Sequence, residues 1–246
     1  NCYKKWQDKI NGKGDEPKDP SKGDKEDIQK YVYSKYGVSV GKTYTIGIYV
    51  YKVTSVTKTS GKATLVAVAS KYKKNLKSAS VPAKVAKNGY TLKVTAVGNK
   101  TFRKLKKLSK VTFGKNVRKI GTSAFAACPK LKTVKFNKVT TIGNKAFYNC
   151  KSLKKVTIGK KVKTIGKSAF AKCKNIKTVT IGKNVKTIKK NAFRKDKKIK
   201  KVTFKGKKLK KIAKNAFDKK VRKKLKISAK NKKVKKRVLK SLNRKK

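Results

Sequence analysis

One short signal returns along most of this chain at nearly constant spacing. Aligned on a phenylalanine, the sequence reads NKTF ending at Phe102, TSAFAAC around Phe125 and NKAFYNC around Phe147. KSAFAKC follows around Phe170, KNAFRKD around Phe193 and KNAFDKK around Phe217. The successive steps are 23, 22, 23, 23 and 24 residues. A unit that short cannot bury its own apolar side. It is stable only when stacked on copies of itself, so the period predicts a solenoid with one coil per repeat.

Within a coil the apolar positions are fixed. In SLKKVTIGKKVKTIGKSAFAKC they are Leu153, Val156, Ile158, Val162, Ile165, Ala169, Phe170 and Cys173. The Val-x-Ile piece alternates, which predicts a short strand with Val156 and Ile158 facing in and Lys155 and Thr157 facing out. Strands of successive coils then stack into a parallel sheet. Its outer face is expected to carry one column of Lys110, Thr133, Lys155, Thr178 and Lys201. A second column holds Thr112, Lys135, Thr157, Thr180 and Thr203. The SAF segment reads as a tight turn or a single helical turn. Phe125, Phe147, Phe170, Phe193 and Phe217 are expected to form an internal ladder.

The pattern L-x-x-V-x-I-x-x-x-V-x-x-I-G-x-x-A-F-x-x-C resembles the BspA-like (Treponema-type) leucine-rich repeat. The likeness runs from about Val97 to Phe217, and the stretch 44–96 resembles the lead-in to a first full coil. The closing KLKISAKNKKVKKRVLKSLNRKK is similar to the strand and basic helix that end Lys-rich members from Gram-positive gut bacteria. The resemblance implies a right-handed leucine-rich-repeat solenoid, α/β to mostly β, with a stacked parallel sheet and short helical turns. It also implies a secreted or cell-surface bacterial protein, often a module of a larger one, that adheres or binds and does no chemistry. The chain departs from the pattern where Lys189 and Ala213 stand in place of glycine and Asp196 in place of cysteine.

Four segments follow. Residues 1–36 read as a lead-in whose NGKGDEPKDPSKGDKED is linker-like, with IQKYVYSKYG as a short helix or tether. Residues 37–97, rich in Val, Thr, Tyr and Ile, read as an N-terminal β capping unit. Residues 98–218 form a solenoid of five to six coils. Residues 219–246 add a strand and a basic helical cap, with Val234, Val238, Leu239 and Leu242 on one side. That spacing suits closure of the last coil better than a membrane-surface helix.

Charge decides the partner class. The chain has 76 Lys+Arg against 9 Asp+Glu, a formal net charge of +67. All but two of the acids precede residue 28; only Asp196 and Asp218 lie beyond it. Such an imbalance says little about fold and points to anionic partners. Like charges stacked about 5 Å apart repel by roughly 1 kcal/mol per close pair before screening. The polyanion-binding candidates are therefore Lys110, Lys135, Lys155 and Lys201 on the strands, with Lys154, Lys177 and Lys200 beside them. Stability is expected to rise with moderate salt.

Enzyme chemistry is poorly supplied. There is no histidine, so neither a Ser-His nor a Cys-His pair exists. Asp196 and Asp218 read as surface carboxylates on adjacent coils, held ionised by surrounding lysines. Cys128, Cys150 and Cys173 recur at one position and read as stacked buried thiols, although a disulfide between neighbouring coils is geometrically conceivable. No zinc site is completed, Cys2 stands apart, and no cofactor is expected. No apolar run approaches the roughly 20 residues that span a bilayer.

Three ligand classes compete for the basic surface. One is an anionic cell-wall polymer such as teichoic acid, or another anionic glycan. The second is a host protein or glycan bound by an adhesin. The third is nucleic acid, held without sequence preference. The strand columns carry no aromatic residue for base or sugar stacking, which favours the first. The highly charged chain is expected to be a monomer or a module of a larger protein.

Overall fold

The computed structural model describes residues 25–213, 215–222, 224–229 and 231–243. Most of the segment read as a linker lies outside them. Helix α1 (Lys25–Tyr36) opens the described chain and is docked, with Val32 fully buried against strand β2 (Tyr49–Val56). The Tyr36 ring lies 5.1 Å from that of Tyr90, and Asn88 donates to the Tyr36 carbonyl. So the IQKYVYSKYG piece is a helix fixed to the first sheet.

The N-terminal unit holds β1 (Thr43–Ile46), β2, β3 (Ser60–Val68), a single turn α2 (Ser70–Lys73), β4 (Ser78–Val81), β5 (Lys84–Lys87) and β6 (Tyr90–Val97). Strands β1, β2 and β3 pair antiparallel, after which β6 pairs parallel with β3. From there the sheet never stops. β6 passes into a run of two-residue strands, one per coil: β8 (Lys119–Ile120), β10 (Thr141–Ile142), β12 (Thr164–Ile165), β14 (Thr187–Ile188) and β16 (Lys211–Ile212). The N-terminal unit thus supplies a template edge onto which the solenoid adds.

A second column holds the Val-x-Ile strands. It contains β4, β7 (Lys110–Phe113) and β9 (Thr133–Lys135), then β11 (Lys155–Thr157), β13 (Thr178–Ile181), β15 (Lys201–Phe204) and β17 (Lys226–Ala229). All the pairs are parallel, but β9 and β11 fall in different sheets, one of three strands and one of four. Each coil therefore carries two strand columns. The period-two reading found only the longer one, because two residues are too few to show alternation.

The length changes of the repeat are localised. Counted from the second inward residue (Phe113, Phe136, Ile158, Ile181, Phe204) to the short strand, the connection has five residues in most coils, four at 137–140 and six at 205–210. Those two loops account for the 22- and 24-residue steps. The shortened coil is the one that carries β9, where the strand column is interrupted.

Between the columns lies one continuous core. Phe102, Phe125, Phe147, Phe170, Phe193 and Phe217 stack with ring centroids 4.8, 5.2, 5.2, 5.4 and 5.2 Å apart and planes within 8° of parallel. Each such contact adds about 0.5–1.5 kcal/mol beyond burial. The SAF segments are hydrogen-bonded turns and not helices. In each coil from Phe102 to Phe193, though not around Phe217, the backbone takes the left-handed conformation two residues before the ring and two after it, as at Ser168 (φ 55°) and Lys172 (φ 63°). Their amides then point at the next coil: Ser168 N donates to the Lys190 carbonyl and Lys172 N to that of Arg194. The strained backbone is held by the stack itself.

The C-terminal end is closed by a short turn α3 (Lys219–Arg222), then β17 and α4 (Lys232–Ser241). Asn231 caps α4, its side chain accepting from Val234 N at 3.0 Å. Val234, Val238 and Leu242 are buried, and the helix packs on β16 and β17. No described helix is long and apolar enough to cross a membrane.

Candidate polyanion-binding surface

The outer face of the longer strands is set by pleat alone. Inward residues such as Val156 and Ile158 are buried, so their neighbours must point to solvent. The register pairs Lys110 with Thr133 and Thr112 with Lys135. In the second sheet Lys155 pairs with Thr178, Thr178 with Lys201, and Lys201 with Lys226. All seven candidate lysines are exposed.

Their spacing corrects one expectation. In the strand column lysine alternates with threonine as far as Lys201, so Lys155 and Lys201 stand two strands apart, about 10 Å, and only Lys201 and Lys226 at its end are direct neighbours. That is about one Debye length at physiological salt, and their mutual repulsion is small. Lys110 and Lys135 lie in the other sheet, across the interruption. The close column is the one beside the strands. Lys177 N donates to the Lys154 carbonyl (2.8 Å) and Lys200 N to the Lys177 carbonyl (2.9 Å). There three lysines follow without a spacer.

A second unbroken column was not singled out from the sequence. Lys163, Lys186 and Lys210 precede the two-residue strands, joined by Lys186 N to the Lys163 carbonyl and Lys210 N to the Lys186 carbonyl, both 2.8 Å. The signal was present as the repeated V-K-T-I of 162–165 and 185–188. Tyr148 was also missed. It lies partly exposed on the turn face, one residue after Phe147, with Lys172 Nζ 5.3 Å from its ring centre.

The two acids of the repeat region do nothing to neutralise these columns. Asp218 is spent on backbone: its carboxylate accepts from Lys195 N (3.0 Å) and Lys220 N (2.9 Å). Asp196 is not a surface carboxylate. It occupies the cysteine position, three residues after Phe193, whereas Asp218 follows its phenylalanine directly. Asp196 is fully buried, and neither carboxyl oxygen has a hydrogen-bond partner. Burial pushes its carboxyl well above the usual carboxylate range. The nearby Cys173 amide pulls it down without reaching hydrogen-bond geometry, and the Asp218 charge raises it further. The expectation that lysines hold both acids ionised fails at Asp196, because those lysines project away from the core it sits in.

The thiols of Cys128, Cys150 and Cys173 are free and buried, each donating to a phenylalanine carbonyl of the preceding coil at 3.0–3.1 Å. Burial, then the neighbouring Cys150, pushes Cys128 up to about 12. These are unreactive core groups. Among the described residues no cluster of His, Cys, Asp or Glu is grouped to hold a metal ion.

The comparisons agree with this geometry. The BspA type leucine rich repeat region matches in six copies, over residues 72–197 and 133–244. Among solved structures, a leucine rich repeat protein of T. pallidum is similar with a TM-score of 0.57 and 24% identity, over 66% of this chain and 71% of that one. A leucine rich cell surface protein of Faecalibacterium prausnitzii gives 0.58 and 24%, over 78% of this chain and 55% of its own. A leucine-rich repeat protein of Bacteroides ovatus gives 0.58 and 22%, over 75% and 52%. This chain thus spans about half the length of the latter two. Among curated proteins no sequence matches. Six copies of the repeat, matched across more than half the sequence and built as stacked coils around one aromatic ladder, make this chain a member of the BspA-type leucine-rich repeat family.

Proposed function

We propose that this chain is a non-catalytic binding module of the bacterial surface whose lysine-covered solenoid holds an anionic polymer, with wall teichoic acid as the principal ligand. The observation that carries the reading is electrostatic. Two unbroken lysine columns run along rigid coils, and the only acids of the repeat region are buried or tied to backbone amides. The lysines so displayed are compensated by an external anion, with counterion release driving the association. The family's surface proteins make a wall polymer the nearest source of such an anion.

The test is retention on purified Gram-positive walls across a salt titration, with and without teichoic acid, alongside heparin and duplex DNA. Salt-sensitive retention that disappears with the teichoic acid is expected. Equal binding to every polyanion, or little binding to any at physiological salt, overturns the reading.

A further inference from the structure

The column Lys163–Lys186–Lys210 leads to a concavity at the C-terminal end. There the inter-strand loop is one residue longer than in the preceding coils, and α4 packs beside it. One lobe, of about 480 Å³, is lined by Lys183, Lys205, Lys207 and Lys208 together with Asn184 and Asn231. The other, of about 470 Å³, shares Lys207, Lys208 and Asn231 and adds Lys186, Lys210, Lys233 and Arg237. No carboxylate is among the residues lining either lobe.

The concavity is built by the fold. A Cβ on Gly206 would lie 2.0 Å from the Lys183 carbonyl oxygen, so only glycine lets the enlarged loop settle on the coil below. Arg237 donates to the Leu209 carbonyl, which ties the cap helix to the same loop. Asn184 is fixed by its donation to the Lys160 carbonyl (2.8 Å). Coils of identical length stack flush. The added residue opens the groove, and the lysines it brings all face one space.

We infer that this groove is a discrete seat for a flexible polyol-phosphate chain, resting on the polymer-binding reading above. Two joined lobes suit a linear ligand carrying several anionic groups better than a single ion. Lysine ammonium groups and amide nitrogens are donors to phosphate oxygens. The lining offers no aromatic ring and Leu209 is buried, so bases have nothing to stack on. That separates a polyol phosphate from a single-stranded nucleic acid of equal charge.

The experiment measures binding of a short synthetic glycerol-phosphate oligomer by the full chain at physiological salt. Lys207→Gln with Lys208→Gln is compared with Lys52→Gln with Lys84→Gln, which removes the same charge from exposed positions of the N-terminal unit, outside the lysine columns and the groove. The groove pair is expected to weaken binding at least about tenfold, the loss of two charge-assisted contacts, and the N-terminal pair by less than about twofold, as expected for charges outside the seat. Equal losses from the two pairs overturn the seat, as does single-stranded DNA that competes as well as the oligomer. Wall retention reads the parent proposal separately. Teichoic-acid-dependent retention that the groove pair leaves untouched keeps the polymer reading and overturns the seat. Oligomer binding that needs the groove pair, without wall retention, supports the seat and overturns the wall reading.

Discussion

Asp196 lies directly after Cys173 in a buried column that is otherwise made of thiols. A cysteine there donates its S–H to the carbonyl of the coil before it. The carboxyl of Asp196 has no such partner, and burial favours its protonated form. The folded chain therefore binds a proton that the unfolded chain, with a carboxyl near 3.9, releases.

The sign follows from that difference. Stability from a neutral Asp196 is fully present below about pH 4 and is lost as pH rises, by about 1.4 kcal/mol per pH unit, until the folded carboxyl itself ionises. Asp196→Cys removes the dependence. In urea melts at several pH values, the variant should match the native chain near pH 4 and exceed it at pH 7. A constant difference across that range would show that folding does not shift the titration of the carboxyl.

The ladder makes each ring a shared part of three coils. Phe170→Ala leaves a cavity between Phe147 and Phe193 and should cost about 3–5 kcal/mol. A loss under about 1 kcal/mol in equilibrium unfolding would mean the coils close over the gap.

Lys177 stands between Lys154 and Lys200 without a spacer, unlike Lys155 and Lys201 across Thr178. Lys177→Thr should raise the melting temperature by about 2–4 °C at low ionic strength. The gain should vanish toward about 1 M salt, where the Debye length is about 3 Å. Thr178→Lys, which fills the spacer, should do the reverse. Thermal melts that ignore salt for both variants would remove repulsion as a determinant of this surface.

Gly206→Ala forces a Cβ into the Lys183 backbone. A loss of about 1–3 kcal/mol is expected. Hydrogen exchange should rise first in β15, β16 and α4, with β7 to β10 unchanged. Uniform loosening of the whole chain would contradict a local clash.

Much of this was legible in the sequence because a solenoid converts spacing into position. The phenylalanines recur once per coil, and the rings stack. Val-x-Ile alternates, so Lys155 and Thr157 face solvent. What escaped notice had weaker or conflicting local signals. Thr164–Ile165 is too short a strand to show a period. Asp196 sits among lysines and looks like surface, although its place three residues after Phe193 put it in the thiol column. The 22-residue step was visible, but its effect on the strand pairing is a matter of three-dimensional register. The alternation of Lys155, Thr178 and Lys201 stood in the sequence; its electrostatic meaning needed the strand spacing.

That interruption between β9 and β11 has a mechanical side. Across it, the short strands β10 and β12 stay paired and Phe147 still stacks on Phe170, so the coils are fastened along one flank and through the middle. On the other flank the two coils are joined only ahead of the strands, where Ser152 N donates to the Pro129 carbonyl at 3.1 Å. The spacing within each group of strand lysines is thus fixed by a ladder, while the spacing between the two groups is fixed only indirectly, through the ring stack and the opposite flank.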